Sequence, residues 1–352
     1  MTTATVPAKP GRHDGLEPVP WRRMAWVTWR QHRIALTGVA VLLGALAALL
    51  WLAGLPVHRA YDAATACHPA TSAACTVLIS KFNGMDGFLA NGYMLQVVPA
   101  LIGAFAGAPV LARELETGTF RYAWTQGFGR WRWTLVKLVG LAVVIAVAAG
   151  AFSVLISWYY QPYLATGNHA LGLTEWSPLS VGLFDLRGVA FAAWTLVAFA
   201  IGALAGMLIR RVVPAIAATL AAYAGLAVAV GGFLRQHYLA ALAIRNVFGY
   251  QLSGSAWVVS EQWQKTGSGH LISQTRVSQV LRGAPQQIAG KGGVPQAASV
   301  LQYLTRHGYA LLTSYQPGSR FWPFQWIEAG WLLALSVLLI AATVWLVRRR
   351  AA

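Results

Sequence analysis

The sequence predicts an all-α polytopic membrane protein. It should have six transmembrane helices, both termini cytoplasmic, and a small, mainly helical external domain between helices five and six. Three observations lead there. The 352 residues are 57% hydrophobic and only 11% charged, against roughly 25% charged in average soluble domains. Apolar runs of about twenty residues, enough to cross a hydrocarbon core, recur along the chain. The basic residues flank those runs rather than forming one stripe, so the formal charge of +17 reflects membrane topology and not nucleic-acid binding.

Four segments follow in order. Residues 1–33 are a cytoplasmic N-terminus, 34–233 carry helices one to five, 234–326 form the extracellular insertion, and 327–352 hold helix six with a basic cytoplasmic tail. Residues 1–20 are rich in Pro, Gly and small polar residues and read as disordered. The first apolar run starts at Ile34, too late and too long for a cleavable signal, and reads as a retained span. From Trp21 to Arg33 an amphipathic helix is expected at the membrane surface. Trp21, Met24, Ala25, Thr28, Trp29 and His32 share one arc; Arg22, Arg23, Arg30 and Arg33 share another, with Trp26 among them. The alternative is a basic flank that is helical only by continuity with span one.

The spans are expected at Ile34–Leu55, Leu89–Leu111, Leu135–Tyr160, Val189–Ile209, Val212–Phe233 and Ile327–Val347. Arg210-Arg211 makes a tight hairpin of the fourth and fifth. Trp51, Trp158, Tyr159, Tyr160 and Trp322 lie near span ends, where aromatic belts form. Lys and Arg crowd the N-terminal flank, the loop after span two, the Arg210-Arg211 hairpin and the C-terminus; the opposite short loops hold only Arg59, Lys81 and Arg187. The rich side is cytoplasmic by the positive-inside rule.

That orientation puts Cys67 and Cys75, the two cysteines of the chain, in one external loop, where a disulfide is expected. Trp257–Lys265 and Ala297–Leu312 read as amphipathic helices of the insertion, with Tyr238–Tyr250 as a possible re-entrant element. Gly103 and Gly107 in span two, and Gly202 and Gly206 in span four, are small-xxx-small pairs that let helices approach closely, either within the chain or between copies.

No span carries a charge near its middle, which argues against an ion-driven carrier. The chain contains no HExxH, CxxC, G-x-S-x-G or P-loop motif, so neither a catalytic residue nor an ATP site of its own is expected. No metal site is expected either; His68 beside Cys67 reads as a solvated loop histidine rather than a ligand. Energy for any transport would therefore enter through a partner, and the loop Arg113–Trp133 is the place for it. Arg113, Glu114, Glu116 and Thr117 would extend span two, with Gly118 ending that helix. Thr119 would cap a short helix bearing Phe120, Tyr122 and Trp124, whose rings offer contact area, while Glu114 and Glu116 offer acceptors to a partner's cations or to Arg121.

Ala112-Arg-Glu-Leu-Glu-Thr-Gly-Thr-Phe120 resembles the cytoplasmic Glu-x-x-x-Gly-Thr loop of ABC exporter permeases of the type-2 family, related to the ABCG-like (type V) exporters. Arg320-Phe-Trp-Pro-Phe-Gln-Trp-Ile-Glu328 resembles the lead into the last span of members from high-GC Gram-positive bacteria. The resemblance implies a multi-pass protein of the bacterial cytoplasmic membrane, in contact with membrane lipid, exporting a hydrophobic or amphipathic drug, antibiotic or lipid. It implies a homodimer of permeases with two copies of a separate ATP-binding subunit, which binds the ATP and magnesium. The loop after span two would contain the coupling helix and the N-terminal amphipathic helix would be the connecting helix. The competing reading is a non-transporting scaffold or sensor whose external domain binds an envelope component.

Overall fold

The computed structural model describes residues 21–69, 71–85, 92–118, 130–165, 167–283 and 297–350. Its helices are α1 (Trp21–Ala66), α2 (Ala73–Asn83), α3 (Tyr93–Thr117), α4 (Arg130–Leu164), α5 (Ala190–Ile209), α6 (Val212–His237), α7 (Gln274–Arg282), α8 (Ala297–Arg306) and α9 (Phe321–Arg350). Six of them, α1, α3, α4, α5, α6 and α9, are long and apolar enough to cross a membrane. The chain is therefore a mostly helical, multi-pass membrane protein.

Helix α1 departs from expectation at both ends. Its 46 residues form one unbroken helix, about 69 Å long at 1.5 Å per residue, more than twice a hydrocarbon core of about 30 Å. The segment Trp21–Arg33 is the N-terminal part of this helix rather than a separate element, because no Gly, Pro or capping residue interrupts Arg30–Leu36. Among its buried positions Leu36, Leu43, Leu50, Val57 and Ala64 recur at a seven-residue interval, with Gly54 and Ala60 buried between them. That period keeps one narrow seam facing α4, as in a left-handed coiled-coil pair.

Helix α5 is the hub, packed against α3, α4, α6 and α9. Its approach to α3 depends on the glycine pairs. A Cβ on Gly103 would lie 2.5 Å from the Ala198 carbonyl, one on Gly107 2.6 Å from the Phe199 oxygen, and Cβ atoms on Gly202 and Gly206 would fall on the carbonyl oxygens of Gly103 and Ala108. The two small-residue motifs thus pack against each other inside one chain, leaving neither for contact between copies. A π-helical turn, Gly103–Gly107, widens α3 at this crossing. Outward positions such as Val41, Leu52, Val213, Val228, Phe233 and Leu338 are exposed and apolar, as a lipid-facing surface requires.

The insertion corrects the expectation of a mainly helical domain. It contains a four-stranded antiparallel sheet in the order β1-β4-β2-β3, from β1 (Leu242–Arg245), β2 (Trp257–Lys265), β3 (Leu271–Ile272) and β4 (Tyr309–Gln316). Helices α7 and α8 join it, and Trp263, Val277, Leu304 and Leu311 form its small core. Trp257–Lys265 is a strand: Trp257, Val258 and Val259 favour a pleated surface, and the Gly267–Gly269 segment returns the chain as a hairpin. The segment expected to be helical to Leu312 stops at Arg306, since Gly308 adopts a left-handed φ of 79° before β4 begins. The Tyr238–Tyr250 stretch holds β1, paired to β4, and is not a re-entrant element.

A further set of contacts closes the same end. Cys67 and Cys75 are joined by a disulfide, and the Asn83 side chain donates to Gly172 O (2.9 Å) and accepts from Thr174 N (2.8 Å). Phe82, Tyr163 and Trp176 stack in sequence beneath, with centroids 5.1 and 4.5 Å apart. Tyr159 and Tyr160, expected in an aromatic belt, are instead buried in this core. Ser177 Oγ donates to Ser255 O (3.0 Å), tying the insertion to the α4–α5 connection.

Candidate functional site

The end opposite the insertion, the terminal face, gathers the last turn of α3, the first turn of α4, the α5–α6 hairpin and the C-terminal end of α9, whose Arg348 lies over the Trp131 ring. Helix α3 arrives there through Pro109–Thr117. Val110, Leu111 and Ala112 are buried, Arg113 and Glu116 exposed, so the helix leaves its packing within one turn. Thr117 Oγ1 donates to Arg113 O at 2.8 Å, and Gly118, with φ 70°, ends the helix in the left-handed conformation.

Both carboxylates of this turn are engaged within the chain. Glu114 Oε1 accepts from Lys137 Nζ at 2.6 Å and from Gln31 Nε2 at 2.6 Å. Lys137 is fully buried and the Glu114 side chain only 13% exposed, so the pair holds α1, α3 and α4 together. Glu116 Oε2 accepts from Val212 N, the first residue of α6, at 3.1 Å. A helix N-terminus has unpaired N–H groups and a positive dipole end, so a carboxylate suits that position. Each carboxylate offered to a partner's cations or to Arg121 thus already has one oxygen engaged within the chain. The turn is a junction from which α1, α4 and α6 are all held. Thr119, Phe120, Tyr122 and Trp124 lie outside the described residues.

On α1, Thr28 is buried and His32 half-buried, whereas Trp29, on the same arc, and Trp26 are both exposed. Arg30 rests over the Trp26 ring at 5.4 Å, and Arg33 is exposed. The side chains of Trp21, Arg22 and Arg23 lie outside the described residues.

A second cluster, at the insertion face, escaped the sequence reading. Arg235 is fully buried; its Nε and Nη2 donate to Glu328 at 3.1 and 3.0 Å, and Nη2 also to Asp185. Trp194 Nε1 donates to the same two carboxylates, to Glu328 at 2.8 Å and Asp185 at 3.2 Å. Tyr238 donates to Glu328 at 3.0 Å, and burial together with that carboxylate pushes its phenol above the ordinary tyrosine range. Gln325 accepts from Ala190 N (2.9 Å) and donates to Phe184 O (2.9 Å), fastening α9 to the start of α5. Arg187, over the Phe321 ring at 5.0 Å, is lowered by burial to about 10. Span five was expected to stop at Phe233. It continues through a π turn, Val230–Leu234, and so brings Arg235 to face α9. The available signal was Glu328 itself, an acid at a span end that demands a cation within reach.

Among the described residues no group of three or more His, Cys, Asp or Glu is placed to hold a metal. His68 Nδ1 lies 3.1 Å from Ala66 O.

Residues 40–235, more than half of the chain, match the family model described as ABC-2 membrane transporter related. The match begins inside α1, beyond Gln31, and ends at Arg235, so it takes in Glu114, Glu116, Lys137 and Val212 of the junction and stops short of the sheet domain. No curated protein and no solved structure matches the chain. With six spans, a junction built around the α3 exit and a family match over five of the spans, the chain belongs to the ABC-2 membrane transporter related family of multi-pass permease components.

Proposed function

We propose that this chain is the permease subunit of an ATP-binding cassette exporter of the ABCG-like type, resembling members from high-GC Gram-positive bacteria. It moves a hydrophobic or amphipathic compound across the bacterial cytoplasmic membrane, as a homodimer driven by two separate ATP-binding subunits that carry ATP and magnesium. The permease itself does no catalysis. The observation that carries this reading, beside the family, is the junction at Glu114 and Glu116. The loop after Gly118 leaves from a turn that is bonded to α1, α4 and α6. A force applied to that loop is therefore delivered to four spans at once, which is what a subunit driven from outside needs.

The test is co-purification from the native membrane followed by ATPase measurement. The expected result is recovery of a P-loop ATPase whose hydrolysis changes on assembly. Phe120→Ala with Trp124→Ala should lower that change several-fold while α1–α9 stay folded. Recovery of the chain with no nucleotide-binding protein would overturn the reading in favour of a non-transporting scaffold.

A further inference from the structure

A trough runs between α4 and α9 and opens on the terminal face. Its walls are Leu135 and Val139 on α4 and Ile340, Ala341 and Val344 on α9. On each helix the lining residues recur three or four apart, so the walls are two stripes parallel to the helix axes. From Trp131 to Val139 the stripe spans about 12 Å, and from Val337 to Arg348 about 16 Å. The lining below the mouth is wholly aliphatic, and Val139 and Val337 are exposed along it, 45% and 65%.

The mouth is different in kind. Trp131 and Trp345 flank it, 39% and 49% exposed, as indoles do at a membrane–water boundary. Arg348 lies over the Trp131 ring at 5.7 Å and Arg349 over the Trp345 ring at 4.5 Å. Both arginines are exposed, and no carboxylate among the described residues pairs with either. A narrow aliphatic trough with unpaired cations at its open end has the shape and charge of a lipid: a chain within, an anion at the rim.

We propose that this trough binds an anionic phospholipid of the surrounding leaflet, one acyl chain lying between α4 and α9 and the headgroup phosphate on Arg348, with Arg349 beside it. A zwitterionic lipid would meet the same aliphatic walls but lack the net charge that two unpaired guanidinium groups select. The site needs neither transport nor an ATP-binding partner.

The full chain, purified in nanodiscs of equal phosphatidylcholine and phosphatidylglycerol, is released into native mass spectrometry and the retained lipid counted. Phosphatidylglycerol should be retained in preference to phosphatidylcholine. Arg348→Gln with Arg349→Gln should weaken that preference about fivefold for each charge removed. Ala341→Phe, which fills the trough and leaves every charge in place, should abolish retention, while Arg210→Gln with Arg211→Gln should not alter it. Equal retention of the two lipids by the unaltered chain would overturn the proposal. So would undiminished retention by Ala341→Phe, which would mean adsorption by charge alone, or an equal loss in the Arg210/Arg211 variant, which would mean a diffuse field.

Discussion

At the scale of single residues, Glu114 does what a surface carboxylate could not. Lys137 is buried in α4, and Glu114 is the acceptor that makes its charge tolerable there. Removing one partner of such a pair leaves the other charge stranded, at about 3–5 kcal/mol, whereas replacing both by apolar groups is often close to neutral. Glu114→Ala should therefore sharply lower the thermal stability of the purified chain, and adding Lys137→Met should restore most of it. If Glu114→Ala melts like the parent, the junction is not what holds α1, α3 and α4. Glu116→Ala should cost much less, about 1 kcal/mol, because it frees only one exposed helix N–H. At the opposite end the asymmetry lies within one cluster. Arg235 holds two carboxylates, while Glu328→Gln keeps one oxygen to accept from Arg235 Nε and Tyr238 and leaves Asp185 to balance the Arg235 charge. Size-exclusion profiles should thus show Arg235→Leu aggregated and Glu328→Gln nearly intact. Similar profiles for the two would deny Arg235 its bridging role.

At the scale of elements, legibility followed the kind of signal. Gly118 was readable as a helix end because a polar turn followed by Gly needs a left-handed residue there, and the helix does end at Thr117. The apolar runs were readable because length and composition decide a span. The glycine pairs were readable as close-packing devices, but a sequence does not say which helix a glycine faces; the structure sets Gly202 and Gly206 against Gly103 and Ala108. Substitutions follow from that placement. Gly202→Val should force α5 off α3 and lose at least the 1–3 kcal/mol typical of overpacking, since backbone and not a movable side chain stands in the way. Gly225→Ala, on the open face of α6 with nothing within 4 Å, should leave the melting temperature unchanged or slightly higher. The insertion was misread where short amphipathic stretches fit both periods: β2 carries aromatic and β-branched residues that pack across to β4 at Trp263–Leu311, and that partner lies far along the chain. Partners distant in sequence are also why Asp185, Arg235 and Glu328 went unconnected.

At the scale of the whole molecule, two differently built ends share one bundle. One end is the last turn of α3, whose two carboxylates reach α1, α4 and the start of α6; the other is a disulfide, an aromatic stack, a buried ionic cluster and a small sheet domain. Which end faces the cytoplasm is a matter of charge, and the chain is lopsided in it. Arg113, Arg132, Arg210, Arg211, Arg348 and Arg349 all belong to the terminal face, while the short segments at the other end offer Arg59 in α1, Lys81 in α2 and Arg187, the last of them drawn into the protein beside Phe321. The insertion has its own basic residues, but a folded segment of that length crosses the membrane largely without regard to its charge. The terminal face should therefore lie inside. The disulfide makes this easy to test, because Cys67 and Cys75 carry no free thiol and an introduced cysteine is then the reactive one. Ser268→Cys, exposed in the turn between β2 and β3, should react with a membrane-impermeant thiol reagent on intact cells. Arg211→Cys, exposed at the α5–α6 hairpin, should react only after lysis. The opposite pattern would turn the molecule over and place the Glu114 junction outside, beyond the reach of any cytoplasmic ATPase.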